Sequence, residues 1–134
     1  MVTAKVHYQG NLRTQATHIK SDTQLITDAP TDNNGKGEAF SPTDLIATAL
    51  ASCMITIMGI KARNKGINID GIDSKITKVM SSNPRRISEI IISLKMPKSD
   101  ISSEDQKLLE KVALTCPVAL SLHPDVKQTI TFNW

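Results

Sequence analysis

Aromatic side chains are scarce in this sequence: Tyr8, Phe40, Phe132 and Trp134 are the whole complement among 134 residues. That is too few for the stacking platform on which single-stranded nucleic acid is held. Charge of one sign is also lacking. Lys and Arg number 16 against 13 Asp and Glu, and the basic residues are spread along the chain, so nothing recommends a nucleic-acid partner. Long apolar runs are missing as well. The longest uncharged run, Leu45 to Ile60, has 16 residues, short of the ~20 that cross a bilayer, and no membrane partner is expected. The N-terminus alternates apolar and polar residues and has no basic stretch leading into an apolar run. It does not read as a signal peptide, and the expected compartment is the cytoplasm.

Metal and nucleotide motifs are absent too. There is no Cys-x-x-Cys and no His-x-x-x-His, and His7, His18 and His123 have no ligand spacing with either cysteine. A zinc or iron site is therefore not expected. No Gly-x-Gly-x-x-Gly, P-loop or Gly-x-Ser-x-Gly pattern occurs, and Gly35-Lys-Gly37 is too short to stand for one. Nucleotide and serine-hydrolase chemistry are left with little support.

The composition that remains is that of one ordinary domain over residues 1–134, able to bury roughly two-thirds of its unfolded surface without a disulfide or metal. Val2, Ala4, Val6 and Tyr8 share one face of a strand, Gln9-Gly10-Asn11 signals a turn, and Leu12 to Ile19 returns as a hairpin. A third strand is predicted over Gln24 to Thr27, followed by a loop from Asp28 to Ala39. Ser41, Pro42 and Asp44 then read as the N-cap, first residue and third residue of a helix running to about Lys65, with Gly66 as its stop. From Leu45 to Ile60 this helix has no polar stripe, which predicts a central helix buried on every side. Strands are expected over Ile67 to Val79 and Ile87 to Met96, and Gly71 suggests a bulge or bend in the first. A helix capped by Ser102 or Ser103 is broken at Pro117, and a last strand spans Lys127 to Asn133. The fold class is α+β, with antiparallel strands wrapped around one buried helix.

Two cysteines in a reducing compartment are free thiols or a redox pair. The bland alternative is two small buried hydrophobes. Cys53 falls mid-helix, beyond the help of the helix dipole, so a reactive thiolate there needs a cation from elsewhere in the fold. Arg63 lies ten residues further along the same helix, about 15 Å of rise, and cannot reach it. Arg85 and Arg86 fall at a hairpin tip. Arg13 follows the Gly10-Asn11 turn and could extend over the helix, unless it is simply a solvated strand residue. Cys116, just before Pro117, is better placed locally, because a helix starting at Pro117 would aim backbone N–H groups at its sulfur.

The stretch Phe40-Ser-Pro-Thr-Asp-Leu-Ile-Ala-Thr-Ala-Leu-Ala-Ser-Cys53 resembles the cysteine helix of the OsmC/Ohr family, the osmotically inducible and organic-hydroperoxide-resistance proteins. Thr115-Cys116-Pro117-Val118 resembles the family's second cysteine motif, 63 residues on from the first, and the order of elements is similar throughout. The resemblance implies an intertwined homodimer with two active sites at the subunit interface. It implies Cys53 as the peroxidatic and Cys116 as the resolving cysteine, and it matches Arg13, in Gly-Asn-Leu-Arg, to the family's N-terminal arginine. In the reductase branch a glutamate lies ten residues before the first cysteine; here that position is Thr43. Asp44 is turned about 180° from Cys53 on the helix, which leaves Glu38 as the nearest carboxylate able to orient the arginine.

These residues together point to thiol-dependent reduction of alkyl or lipid hydroperoxides through a Cys53 sulfenic acid and a Cys53–Cys116 disulfide. Ala49, Leu50, Thr56 and Ile57, one turn from Cys53, favour apolar substrates. No bound cofactor is expected, and by resemblance the reductant is an external dithiol such as a lipoylated protein. The alternative is a non-catalytic protein of the same fold that binds a small hydrophobic ligand at the dimer interface.

Overall fold

Strands β1 (Ala4–Gly10), β2 (Arg13–His18) and β3 (Gln24–Asp28) form an antiparallel sheet in the order β1-β2-β3. Gly10 at φ 87°, followed by Asn11 and Leu12 in the left-handed region, makes the tight turn that reverses the chain before Arg13. The β2–β3 register sets Thr14 opposite Thr27 and Arg13 opposite Asp28. Strand β3 thus runs one residue further than its apolar pattern suggests, and Asp28 belongs to the sheet instead of opening the loop.

The computed structural model describes all 134 residues, which form two compact units, Met1–Ile46 and Ala47–Trp134. Helix α1 (Pro42–Asn64) contains the boundary between them. Its start is a reciprocal capping box. The Ser41 hydroxyl accepts the Asp44 N–H at 3.1 Å, and the Asp44 carboxylate accepts the Ser41 N–H at 3.0 Å. Its end is a Schellman turn: the Ile67 N–H bonds the Ala62 carbonyl, the Gly66 N–H bonds the Arg63 carbonyl, and Gly66 takes φ 68°.

In the second unit α1 buries one stripe, Ala47, Leu50, Ala51, Met54, Met58 and Ala62, at the 3–4 spacing of a helix face. Ala49, Thr56 and Ile60 are exposed on the other side. The expectation of a helix buried all round is corrected: one chain supplies one core, which covers one face of a helix, however apolar the remainder.

Strands β4 (Asp73–Ser81), β5 (Arg86–Lys95) and β6 (Lys127–Asn133) make the second sheet, in that order. Ile90, Ile92 and Leu94 alternate along β5, are fully buried, and join the helix stripe in the core. Residues 67–72, expected as strand, leave the helix and turn at Gly71 (φ 92°), so β4 begins only at Asp73. The register shift of the β4–β5 pair lies between Val79 and Met80, opposite which β5 carries the extra residue, Ser88. Strand β6 pairs with β5 in parallel, which corrects the all-antiparallel expectation. A parallel partner needs a long crossover, and helices α2 (Ser103–Leu114) and α3 (Pro117–Ser121) provide it.

Replacing Ser41, which is buried, by Ala removes the cap of α1 and leaves the Asp44 N–H without its acceptor. Urea unfolding of Ser41→Ala is expected to show a loss of about 1 kcal/mol with an unchanged m-value.

Candidate functional site

Both cysteines are free thiols, and both belong to the second unit. Cys116 is the N-cap of α3, with Pro117 as the first helical residue, whose missing N–H costs nothing there. Its sulfur accepts the Ala119 N–H at 3.4 Å, as the Cys-Pro pattern suggests. Its side chain is fully buried. Burial pushes the Cys116 thiol above its ordinary range; the N–H groups of Ala119 and Val118 oppose this without reversing it, and the neighbouring Cys53 thiol adds to it.

Cys53, three turns into α1, is half-buried and packs against the same core. Cys53 and Cys116 are neighbours in this core, and the Cys53 thiol favours the protonated form of Cys116. Helix α1 and the N-terminus of α3 therefore bring together a partly accessible thiol and a buried one that were 63 residues apart in sequence.

The first unit holds a second cluster. Arg13 Nε and Nη2 donate to the two carboxylate oxygens of Asp28 at 2.7 and 2.8 Å, a bidentate pair set up by their cross-strand register. Asp28 also accepts the Glu38 backbone N–H at 3.1 Å. The Arg13 hydrogen bond holds the Asp28 carboxyl below its usual range, against the opposing effect of burial, with the Glu38 N–H helping. Arg13 is in turn held above its ordinary value, chiefly by the same bond.

Glu38, expected to orient the arginine, is a lesser partner. Its carboxylate is exposed and lies 3.5 Å from Nη2. The principal carboxylate, Asp28, is not evident from motif reading. Hairpin symmetry between β2 and β3 is the signal that could find it, since pairing Ala16 with Leu25 automatically pairs Arg13 with Asp28. Asp44 is engaged in the helix cap, and Thr43 shares a hydrogen bond with the Ser41 hydroxyl. No group of three or more His, Cys, Asp or Glu side chains is placed to hold a metal ion.

The OsmC-like protein family model matches residues 35–131, so the chain belongs to the OsmC-like family. Its fold is similar to a protein of Psychrobacter arcticus 273-4 given a provisional role in the osmotic-stress-induced and detoxification response. That pair shares 54% identity over 99% of this chain and 96% of the other, with TM-score 0.96. An organic hydroperoxide resistance protein OsmC from Legionella pneumophila shares the fold at 17% identity and TM-score 0.72, covering 98% of this chain and 95% of that one. An OsmC-like protein from Mycoplasma pneumoniae does so at 19% identity and TM-score 0.74, covering 98% and 96%. No curated protein matches the chain.

The depressed Asp28 carboxyl makes stability depend on acid pH. Its contribution is complete above the unfolded-state value near 3.8 and is lost as the pH falls through the lower folded-state value. Asp28→Asn is therefore expected to lower the urea midpoint at neutral pH, and the gap from wild type should narrow below the carboxylate range. A gap independent of pH would separate Asp28 from this linkage.

Proposed function

We propose that the protein is a thiol-dependent peroxidase acting on organic hydroperoxides. The observation that carries the reading is a half-buried Cys53 packed against the core cluster that contains the fully buried Cys116, both free thiols. The difference in exposure distributes the roles. Cys53 meets the peroxide: its thiolate attacks one oxygen, the O–O bond breaks, a proton goes to the leaving alkoxide, and the products are Cys53 sulfenic acid and an alcohol. Cys116 then displaces water from the sulfenic acid to form the disulfide, and an external dithiol returns both cysteines to thiols while itself becoming a disulfide. A lipoylated protein is a reductant of that class. Arg13 is the cation assigned to the reacting centre. Leu50, buried, and Ile57, half-buried, make the neighbourhood of Cys53 apolar, which favours alkyl or lipid peroxides over hydrogen peroxide.

The reading includes a homodimer. Ile46, Ala49, Cys53, Thr56 and Ile60 follow one another at spacings of three and four, the seam on which a second helix packs. Ile46 and Ile60 are 42% and 55% exposed, too much apolar surface for a working helix face, and a second copy of this chain is the occupant proposed for it. Cys53 lies in the same seam, so the partner would help wall the site.

Cys53→Ser is expected to abolish hydroperoxide consumption, while Cys116→Ser should consume one equivalent and pass to sulfinic acid in excess peroxide, as read by intact mass. In the wild type the disulfide-forming step should accelerate about tenfold per pH unit through the neutral range, because Cys116 must lose its proton to attack. Full consumption by Cys53→Ser would replace this reading with ligand binding. Sedimentation equilibrium at micromolar concentration is expected to show a dimer, and Ile60→Asp, which puts a charge in the seam, a monomer.

A further inference from the structure

The end of the second sheet carries a cleft of about 540 Å³, a volume within the range of small-molecule sites, and neither cysteine lines it. Lys95, the last residue of β5, lines it together with Met96, Pro97 and Lys98, which follow in the chain. Gln106 of α2 and Trp134, just beyond β6, line it from other segments. Hydrogen bonds hold this rim in place. The Met96 N–H donates to the Asn133 carbonyl at 2.9 Å, and Asn133 Nδ2 donates to the Leu94 carbonyl at 3.2 Å. The strand ends that carry Lys95 and Trp134 are thereby tied together. Gln106 Nε2 donates to the Ile101 carbonyl at 3.1 Å, which anchors that side chain as well. A site fixed before its ligand arrives loses little freedom on binding.

Trp134 is the sole tryptophan and is 38% exposed. Its indole N–H donates to Glu110 Oε1 at 3.0 Å, so its one polar group is satisfied and the ring is restrained. What the ring still offers a ligand is apolar surface, which a planar aromatic partner covers well. Lys95 and Lys98 take part in none of the ion pairs of this unit, although Asp100 also lines the cleft. Lys95 and Asn133 line a second cavity too, of about 660 Å³, where Lys75 adds a third cation and Asp73 a carboxylate. Cations thus outnumber carboxylates along the two cavities, and an anion is the charge they favour. We propose that the cleft binds a small aromatic anion, its ring on Trp134 and its carboxylate or phosphate between Lys95 and Lys98. Simple aromatic acids and nucleotides share that chemistry. The site is separate from the thiol chemistry proposed above and does not depend on it.

Because the chain has one tryptophan, its fluorescence reports on the cleft directly. The full chain is titrated at low salt with benzoate and with adenosine monophosphate, each of which joins an aromatic ring to an anion. Cyclohexanecarboxylate and inorganic phosphate keep the charge without the ring, and benzyl alcohol and adenosine keep the ring without the charge. Saturable quenching by benzoate, by the nucleotide or by both is expected, with the controls binding about tenfold more weakly or not at all. Which of the two binds tells an aromatic-acid site from a nucleotide site. Lys95→Gln and Lys98→Gln should each weaken binding about fivefold, and added salt should weaken it further. Lys127→Gln, an exposed lysine outside the cleft, should leave it unchanged. All three lysines are exposed, so thermal melts should match the wild type. Trp134→Leu, followed by calorimetry, should lose the preference for aromatic over saturated acid. The proposal is overturned by an absence of saturable quenching with both anions, or by controls that bind as tightly as either. Equal weakening in Lys127→Gln, or a ring preference that survives in Trp134→Leu, would also overturn it. None of these outcomes bears on the cysteine assignments.

Discussion

The second unit depends on burying one face of α1 against the Ile90, Ile92 and Leu94 row of β5. Leu50, Met54 and Met58 are fully withdrawn from water, each removing apolar surface worth roughly 1.5–3 kcal/mol. Between these large side chains sit Ala47, Ala51 and Ala62, which let the helix backbone come close to its neighbours. This alternation fixes the helix rotation about its own axis. Once Met54 faces the core, Cys53 must lie at the edge of the buried stripe, neither sealed in nor fully wet. A rotation of one residue's worth would place Ser52 or Met54 there in its stead.

Two buried titratable groups show how the number of donors decides a protonation state. Cys116 and Asp28 are both almost wholly withdrawn from water. Asp28 receives a charged bidentate fork and a backbone N–H at 3.1 Å or less, and it stays ionised. Cys116 receives neutral backbone N–H groups, that of Ala119 at 3.4 Å, and burial keeps it a thiol. Desolvation acts on both; only a cation within hydrogen-bond distance overcomes it. The same comparison explains why Cys116, sealed in the core, holds its proton.

Local signals were legible in the sequence. Ser41 and Asp44 formed the cap their spacing suggests, Gly66 ended the helix, and Cys116-Pro117 began a new one. These depend on neighbours within a few residues. The features that were misread depend on partners far along the chain. The parallel direction of β6 follows from what the crossover helices do, and the exposed face of α1 follows from how much core one chain supplies. Asp28 was hidden for the same reason: as a residue type it looks like loop, and only the strand register gives it a partner. The two cysteines stand out in the sequence by their motifs, whereas the carboxylate holding Arg13 does not.

The parallel pairing of β5 with β6 also constrains the order of folding events. Every paired position, from Glu89 with Lys127 to Lys95 with Asn133, joins residues 38 apart in the chain. Loops of that length close late, after local hairpins such as β4–β5 have formed. Cys116 lies on the segment that this closure draws in, whereas Cys53 sits on a helix with its own caps at both ends. The two sulfurs therefore meet only near the end of assembly. An unfinished chain keeps its thiols apart, and their encounter becomes a marker that the second sheet is complete.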